Sequence, residues 1–429
     1  MRTWLITGLL ACGAPPPEVD PEPPVEPEDT GSIEPPPPQN EAPGAPSLLD
    51  PADGSPYQPL ALVLSWTEAV DPDGDVLTYE VRLDTVDPPQ QVVASALDAT
   101  TWSVADLEPE TAYTWQVVAR DPAGAEAASE VRSFSTQATV AAMLLSTAPW
   151  GERENFGAEV FAGRIWVVAG TACCGGTYDD VWSSPDGITW TEEVANAPFG
   201  SRGQVSTAVH DGQLWLVGGR SGASPSGAFD DVWSSEDGVT WTQVPTTDLP
   251  RIHSAELAVH DGRMWLLGGR DNEGNRYADR VWSSVDGQTW DEVLVGAPTF
   301  RDRVGELVAH DGALWYVGGR NDRVESTLDG VTWTRQTSDA LFGLRGNHTA
   351  VSHDDRLWVI SGFDDDNSFI LPDVYYSEDG ATWVQAAVDA GFVPVASAEA
   401  VSFQGALLLL GGGGSSGSNF FSSDVYQLD

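Results

Sequence analysis

Ser184-Pro185-Asp186-Gly187-Ile188-Thr189-Trp190 is one short phrase written five times, with copies ending at Trp190, Trp241, Trp290, Trp333 and Trp383. The steps between these tryptophans are 51, 49, 43 and 50 residues. A second phrase keeps the same beat: Gly163-Arg164-Ile165-Trp166-Val167-Val168-Ala169-Gly170 has counterparts centred on Trp215, Trp265, Trp315 and Trp358. Long repeats rich in short strands and Asp-Gly turns predict a radial β architecture built from four-stranded units.

The second unit shows the grammar. Residues 205–209 lead into the tight turn His210-Asp211-Gly212, residues 213–218 return, a variable loop follows, and residues 231–234 form a third strand. Glu236-Asp237-Gly238 then turns the chain into residues 240–244. Units begin near Phe156, Gly203, His253, Val304, Asn347 and Ala396, which makes six. The fourth has Arg323-Val324-Glu325-Ser326 where others read Asp-Val-Trp, and its connecting loop is trimmed. The sixth stops at Asp424-Val425-Tyr426-Gln427-Leu428-Asp429, one strand short. Residues 140–145 are expected to supply that strand, which closes the ring and leaves no long exposed edge.

Upstream, residues 43–137 alternate apolar and polar in short runs at 60–66, 76–83, 102–104, 113–119 and 131–134, broken by Pro, Gly and Asp. This is the pattern of a sandwich of roughly seven strands. The segment resembles a fibronectin type III domain: Trp66 matches its early core tryptophan, Tyr79 its next strand, and Leu107-Glu108-Pro109-Glu110-Thr111-Ala112-Tyr113 its Leu-x-Pro-x-Thr-x-Tyr corner. Residues 138–429 resemble kelch-type propellers in the paired glycines after the second strand and the arginine before the first. The Ser-x-Asp-Gly-x-Thr-Trp hairpin is similar to the Asp box of sialidase-like propellers, one residue shorter. The expected class is all-β, a fibronectin type III β-sandwich followed by a six-bladed β-propeller closed by an N-terminal strand.

Residues 1–12 read as a targeting segment, with Arg2 flanking an apolar run at 4–10. Leu9-Leu10-Ala11-Cys12 resembles the bacterial lipoprotein signal, which implies lipidation at Cys12 and a place in the cell envelope, at the outer membrane or outside the cell. Residues 13–42 are rich in Pro, Glu and Asp and are expected to be an extended, disordered tether. The formal charge of -45 argues against nucleic acid, and against any membrane contact beyond a lipid anchor. Every one of the twenty Lys-plus-Arg residues is arginine, a planar fork suited to carboxylates.

Chemistry-bearing residues are few. Thirteen of the eighteen tryptophans fall in three repeat columns and read as packing between units. His210, His260, His310 and His353 share one turn in four units, so they should be spread around the ring and hold no metal. Asp71, Asp73 and Asp75 gather carboxylates beside Gly74; calcium takes such ligands, but a solvated turn is the simpler reading. Cys173 and Cys174 are adjacent, either a vicinal disulfide or a reduced pair. Arg153, Arg202, Arg251, Arg301 and Arg345 recur before the first strand, and Arg220, Arg270 and Arg320 after the second. All eight should edge one face, either as a guanidinium ring for an anionic ligand or locked to nearby carboxylates and carbonyls. No cofactor motif and no catalytic set is legible. The expected function is binding of a protein or glycan through the loop face, against the alternative of a sialidase-like or other propeller enzyme acting on an acidic glycan.

Overall fold

A computed structural model describes residues 39–172, 175–222, 227–270, 280–295, 305–319, 322–364, 369–414 and 421–429. They form an all-β chain of two parts. The first is a sandwich. Leu48–Asp50, Leu62–Trp66 and Thr101–Val104 make one sheet. Ser55–Gln58, Arg132–Thr136, Ala112–Arg120, Thr78–Asp84 and Val92–Leu97 make the other, with Glu126–Ala128 beside Ala112–Arg120. Leu64, Trp66, Tyr79, Val81, Trp115 and Val117 fill the space between the sheets. The Tyr79 hydroxyl accepts the Ala69 N–H at 2.9 Å, and the Tyr113 hydroxyl accepts that of Glu108 at 3.0 Å, which pins the predicted corner.

The second part is a ring of six four-stranded antiparallel sheets. Blade 1 runs Gly157–Phe161, Arg164–Val168, Val181–Ser184 and Thr191–Val194; blade 2 runs Ser206–His210, Gln213–Val217, Val232–Ser235 and Thr242–Val244. Blade 3 runs His253–His260, Arg263–Arg270, Arg280–Ser284 and Asp291–Val295; blade 4 runs Gly305–His310, Ala313–Gly318, Val324–Thr327 and Thr334–Thr337. Blade 5 runs Thr349–His353, Arg356–Ile360, Val374–Ser377 and Val384–Ala387, with a small hairpin of Phe363–Asp364 and Phe369–Ile370 between its second and third strands. Blade 6 has Glu399–Phe403, Ala406–Leu410 and Asp424–Leu428, and takes its outer strand, Ala142–Thr147, from the start of the domain.

The closing strand therefore exists but sits two residues further on than the sequence suggests. Ala142 pairs with Leu428 and Thr147 with Asp424, whose side chains bond at 2.6 Å. Val140 is diverted to the neighbouring blade, where its N–H reaches the Ala386 carbonyl at 3.3 Å.

The repeated phrases explain the core. In each Asp-Gly hairpin the aspartate accepts N–H bonds from its own turn; those of Thr332 and Val331 hold the Asp329 carboxyl down at about 2. The glycine after it lies flat on the second-strand tryptophan of the blade before, so that a Cβ on Gly238, Gly287, Gly330 or Gly380 would collide with Trp166, Trp215, Trp265 or Trp315. Each of those indoles donates to the carbonyl of its own hairpin, as Trp215 does to His210 O at 2.9 Å. The two phrases are thus the two halves of one contact between blades. Blade 6 has Leu408 in the tryptophan position, and Gly187 packs on it.

Candidate functional site

The connections between second and third strands, and between one blade and the next, emerge on one face of the ring, here termed the loop face. The tight turns occupy the opposite, turn face. Each second-to-third-strand connection contains residues outside those described, namely 173–174, 223–226, 271–279, 320–321, 365–368 and 415–420. Cys12, Cys173, Cys174, Arg301 and Arg320 lie outside the described residues.

Among the remaining arginines the structure corrects the reading of a free cationic ring. Arg153, Arg202 and Arg345 are at most 1 % exposed. Each grips a carboxylate with both terminal nitrogens: Asp180 at 2.7 and 2.8 Å, Asp231 at 2.6 and 3.0 Å, and Asp373 at 2.7 and 3.1 Å. Each also donates to the carbonyl just past the second strand, at Ala169, Gly218 or Ser361, and to that of Trp150, Phe199 or Phe342 in its own connection. An aromatic ring, from Tyr178, Phe229 or Tyr375, covers the guanidinium. One fork fastens three chain segments, and no donor edge is left for a ligand. Arg251 lies outside this column: Ile252 takes the place of Arg202, its carbonyl accepting the Gly219 N–H as that of Arg202 accepts Gly170. Arg251 instead projects from the loop face, 59 % exposed, and pairs loosely with Asp230 at 3.4 Å. Arg220 and Arg270 also stand at this face, each already engaged by protein groups.

Propeller blades surround a central channel, and at the loop face the residues around its mouth make an unusual rim. Asn155, Gln204, Ser254, Asn347 and Ser397, each at the start of the first strand of its blade or just before it, hold φ of 51°, 53°, 52°, 54° and 52°. Non-glycine residues rarely adopt this left-handed region. In four of them it turns the N–H toward the carbonyl of the preceding blade: Gln204 to Asn155 at 2.8 Å, Ser254 to Gln204 at 3.0 Å, Ser397 to Asn347 at 2.8 Å, and Asn155 to Ser397 at 3.2 Å. These bonds form a belt around the axis, and they close the ring where its first and last blades meet.

Beneath the belt the first strands pack against one another, and four of them present glutamates: Glu159, Glu256, Glu306 and Glu399. All four are half-buried at the surface, yet protein walls them in. Burial raises Glu159 and Glu256 to about 7, and raises Glu306 and Glu399 well above the ordinary carboxylate range. Glu159 accepts the Thr207 hydroxyl at 2.9 Å. After burial, the nearby Glu256 carboxylate does most to raise Glu306, so the two titrate as a pair. Tyr316 reaches the same place because Gly305 leaves room for its ring, and its hydroxyl accepts the Gly305 N–H at 3.3 Å. Burial, then the Glu256 carboxylate, raises its phenol far above the usual value. Glu159 and Glu256 thus exchange protons near neutral pH, the range where acid–base work is done.

A pH prediction follows. An acid whose folded-state pKa is raised stabilises the fold below its unfolded value and loses that contribution as pH rises through the folded one. Stability should therefore fall between pH 4.5 and about 7 and stay low above. Glu159→Gln should flatten part of that slope, as read from denaturation midpoints across the range; an unchanged slope in the variant would contradict the assignment.

The other candidates are structural. His210 and His260 bond the carbonyls of Val285 and Leu328 on the next blade, while His310 and His353 bond Ser352 and Ser402, so the four are spread around the ring. Asp71 caps its own turn by accepting the N–H groups of Asp73 and Asp75 at 2.9 and 3.3 Å. Among the described residues no group of His, Cys, Asp and Glu is arranged to hold a metal, Asp71, Asp73 and Asp75 included. No described helix is long and apolar enough to cross a membrane. The channel glutamates are absent from the sequence reading. Their signal was a charged residue inside an otherwise apolar first strand, as in Ala255-Glu256-Leu257 and Gly305-Glu306-Leu307.

These features define a fibronectin type III domain followed by a β-propeller domain. Comparison with known proteins gives the same two parts: residues 52–135 match the fibronectin type III domain, and residues 237–368 match a family described as the DUF6242 beta propeller domain. A solved structure titled "Structure of YjhT" shares the fold at a TM-score of 0.54 and 16 % identity, over 66 % of this chain and 95 % of that one. At that identity the likeness concerns architecture alone. No curated protein matches the chain.

Proposed function

We propose that this chain is a cell-envelope lipoprotein, lipidated at Cys12, whose kelch-type propeller binds a protein or glycan ligand on its loop face around the channel mouth. The observation that carries the reading is the belt. The belt residues Asn155, Gln204, Ser254, Asn347 and Ser397 are all polar and stand around the axis, on the face where the repeat copies differ most in sequence. The turns of the other face are nearly identical from blade to blade and are used up in packing. Variable loops on a constant scaffold are where specificity resides.

A labelled glycan panel, read for both retention and turnover, tests this. Retention without conversion is expected, and Asn347→Ala with Ser397→Ala should weaken it by about tenfold or more. Unchanged retention in that double variant would remove the mouth from the site. The second reading, an enzyme acting on an acidic glycan, has one feature in its favour: burial raises the neighbouring carboxyls of Glu256 and Glu306 out of the ordinary range, as a general acid requires. In that case Glu306→Gln abolishes turnover and leaves retention intact.

A further inference from the structure

The fibronectin domain meets the propeller through a built junction. Ser55–Gln58 pairs with Arg132–Thr136 with a shifted register, Ser55 opposite Phe134 and Gln58 opposite Thr136, so one extra residue bulges out. Tyr57 lies in that bulge at φ 55°, a strained conformation that aims its ring out of the sandwich. The ring meets Tyr376 of blade 5 edge-on, with centroids 6.0 Å apart. Burial, then a hydrogen bond with Glu378, pushes the Tyr57 phenol up to about 12. Arg356 sits at the centre: its guanidinium lies 4.6 Å over the Tyr376 ring, 2.7 Å from Glu110 of the sandwich and 3.4 Å from Glu378 of its own blade.

The linker has no slack. Gln137 N–H bonds Gln58 O at 2.9 Å, Ala138 N–H bonds the Tyr376 hydroxyl at 3.1 Å, Val140 N–H bonds Ala386 O at 3.3 Å, and Ala141 N–H bonds Asp429 O at 2.7 Å. Ala138 is 6 % exposed and belongs to the core between blades 5 and 6.

The position of this junction is informative. Arg356 follows the turn after Thr349–His353, and Glu378 lies in the Asp-Gly hairpin, so the contact is on the turn face. The belt residue Asn347 is at the other end of the same first strand. Within the sandwich, Glu110 and Asp121 flank opposite ends of Ala112–Arg120, a span of roughly 30 Å. Asn40, at the entry of the chain, bonds Asp121 at 2.7 Å.

We propose that the fibronectin domain is a fixed pedestal, locked to the turn face of blade 5 by Tyr57, Glu110 and Arg356, which holds the channel mouth pointing away from the N-terminal tether. The two domains move as one body, whatever the mouth binds. The proposal concerns pose alone, so it stands or falls separately from the ligand assignment.

Hydrogen exchange of the linker amides in the whole chain, with small-angle scattering, tests it. The amides of Gln137, Ala138, Val140 and Ala141 should be protected like those of the propeller strands, and scattering should fit one pose. Tyr57→Gly with Glu110→Arg should speed linker exchange by about tenfold or more and broaden the scattering fit, with propeller amides unchanged. Tyr57→Gly alone also relieves the strained backbone, so the core amides of the sandwich should stay protected; loss of their protection would show that Tyr57 serves its own domain and would overturn its part in the lock. Unprotected linker amides in the wild type, or an unmoved linker in the double variant, would overturn the pedestal.

Discussion

A chain that begins at Ala148 will lose the cooperative melt of the propeller, while one that begins at Thr139 will keep it. The difference is the strand Ala142–Thr147, which supplies five paired positions to Asp424–Leu428. Its backbone bonds contribute about 1 kcal/mol each, so the loss is on the order of 5 kcal/mol before packing is counted. That is comparable with the whole stability of many domains. Removal also bares the edge of Asp424–Leu428 as a template for another chain, so aggregation should accompany unfolding. Ala148 and Trp150, both buried, remain in the shorter chain, and the comparison isolates the strand. Equal denaturation midpoints for the two chains would show that blade 6 does not depend on it.

The second large effect belongs to Arg345. Arg345→Ala should destabilise the propeller by about 3–5 kcal/mol, the usual result of breaking a buried ion pair by removing one partner. Asp373, 6 % exposed, would be left without the fork that holds it, and the carbonyls of Ser361 and Phe342 would lose their donor. Arg345→Lys should recover only part of the loss, because a point charge cannot hold both oxygens of Asp373 and two carbonyls together. A surface arginine kept for a ligand behaves differently, with changes within about 0.5 kcal/mol on substitution. Chemical denaturation of the variant distinguishes the two, and a change that small would restore Arg345 to the list of binding residues.

Arg345 also shows where sequence reading stops. The blades were legible because their turns and tryptophans recur at each step, and the glycine-on-tryptophan contact requires both phrases in every neighbouring pair. The arginine column was only half legible. Arg251 stands one residue out of step with Arg202, and only the bond from Gly219 to Ile252 reveals which residue occupies the place. Burial of the three gripping arginines was the simpler of the two readings, yet sequence alone could not say which carboxylate each one finds. Channel glutamates were missed for the opposite reason. Glu256, Glu306 and Glu399 align with Gly157, Ser206 and Thr349, so no column marks them, and a residue present in half the copies reads as ordinary variation. The pedestal contact joins Tyr57 and Glu110 to Tyr376 and Arg356 across well over two hundred residues, a distance no local pattern spans.

The closing strand also sets an order of events. Thr147 and Asp424, side by side in blade 6, are 277 positions apart in the chain. At ordinary rates of synthesis, the first partner waits on the order of fifteen to fifty-five seconds for the second. Through that interval five blades can stack, but the ring is an open arc with an unpaired strand at its beginning. The propeller is therefore completed only once Asp424–Leu428 has been made, and a chain cut short before that strand is left with nothing to fasten its start.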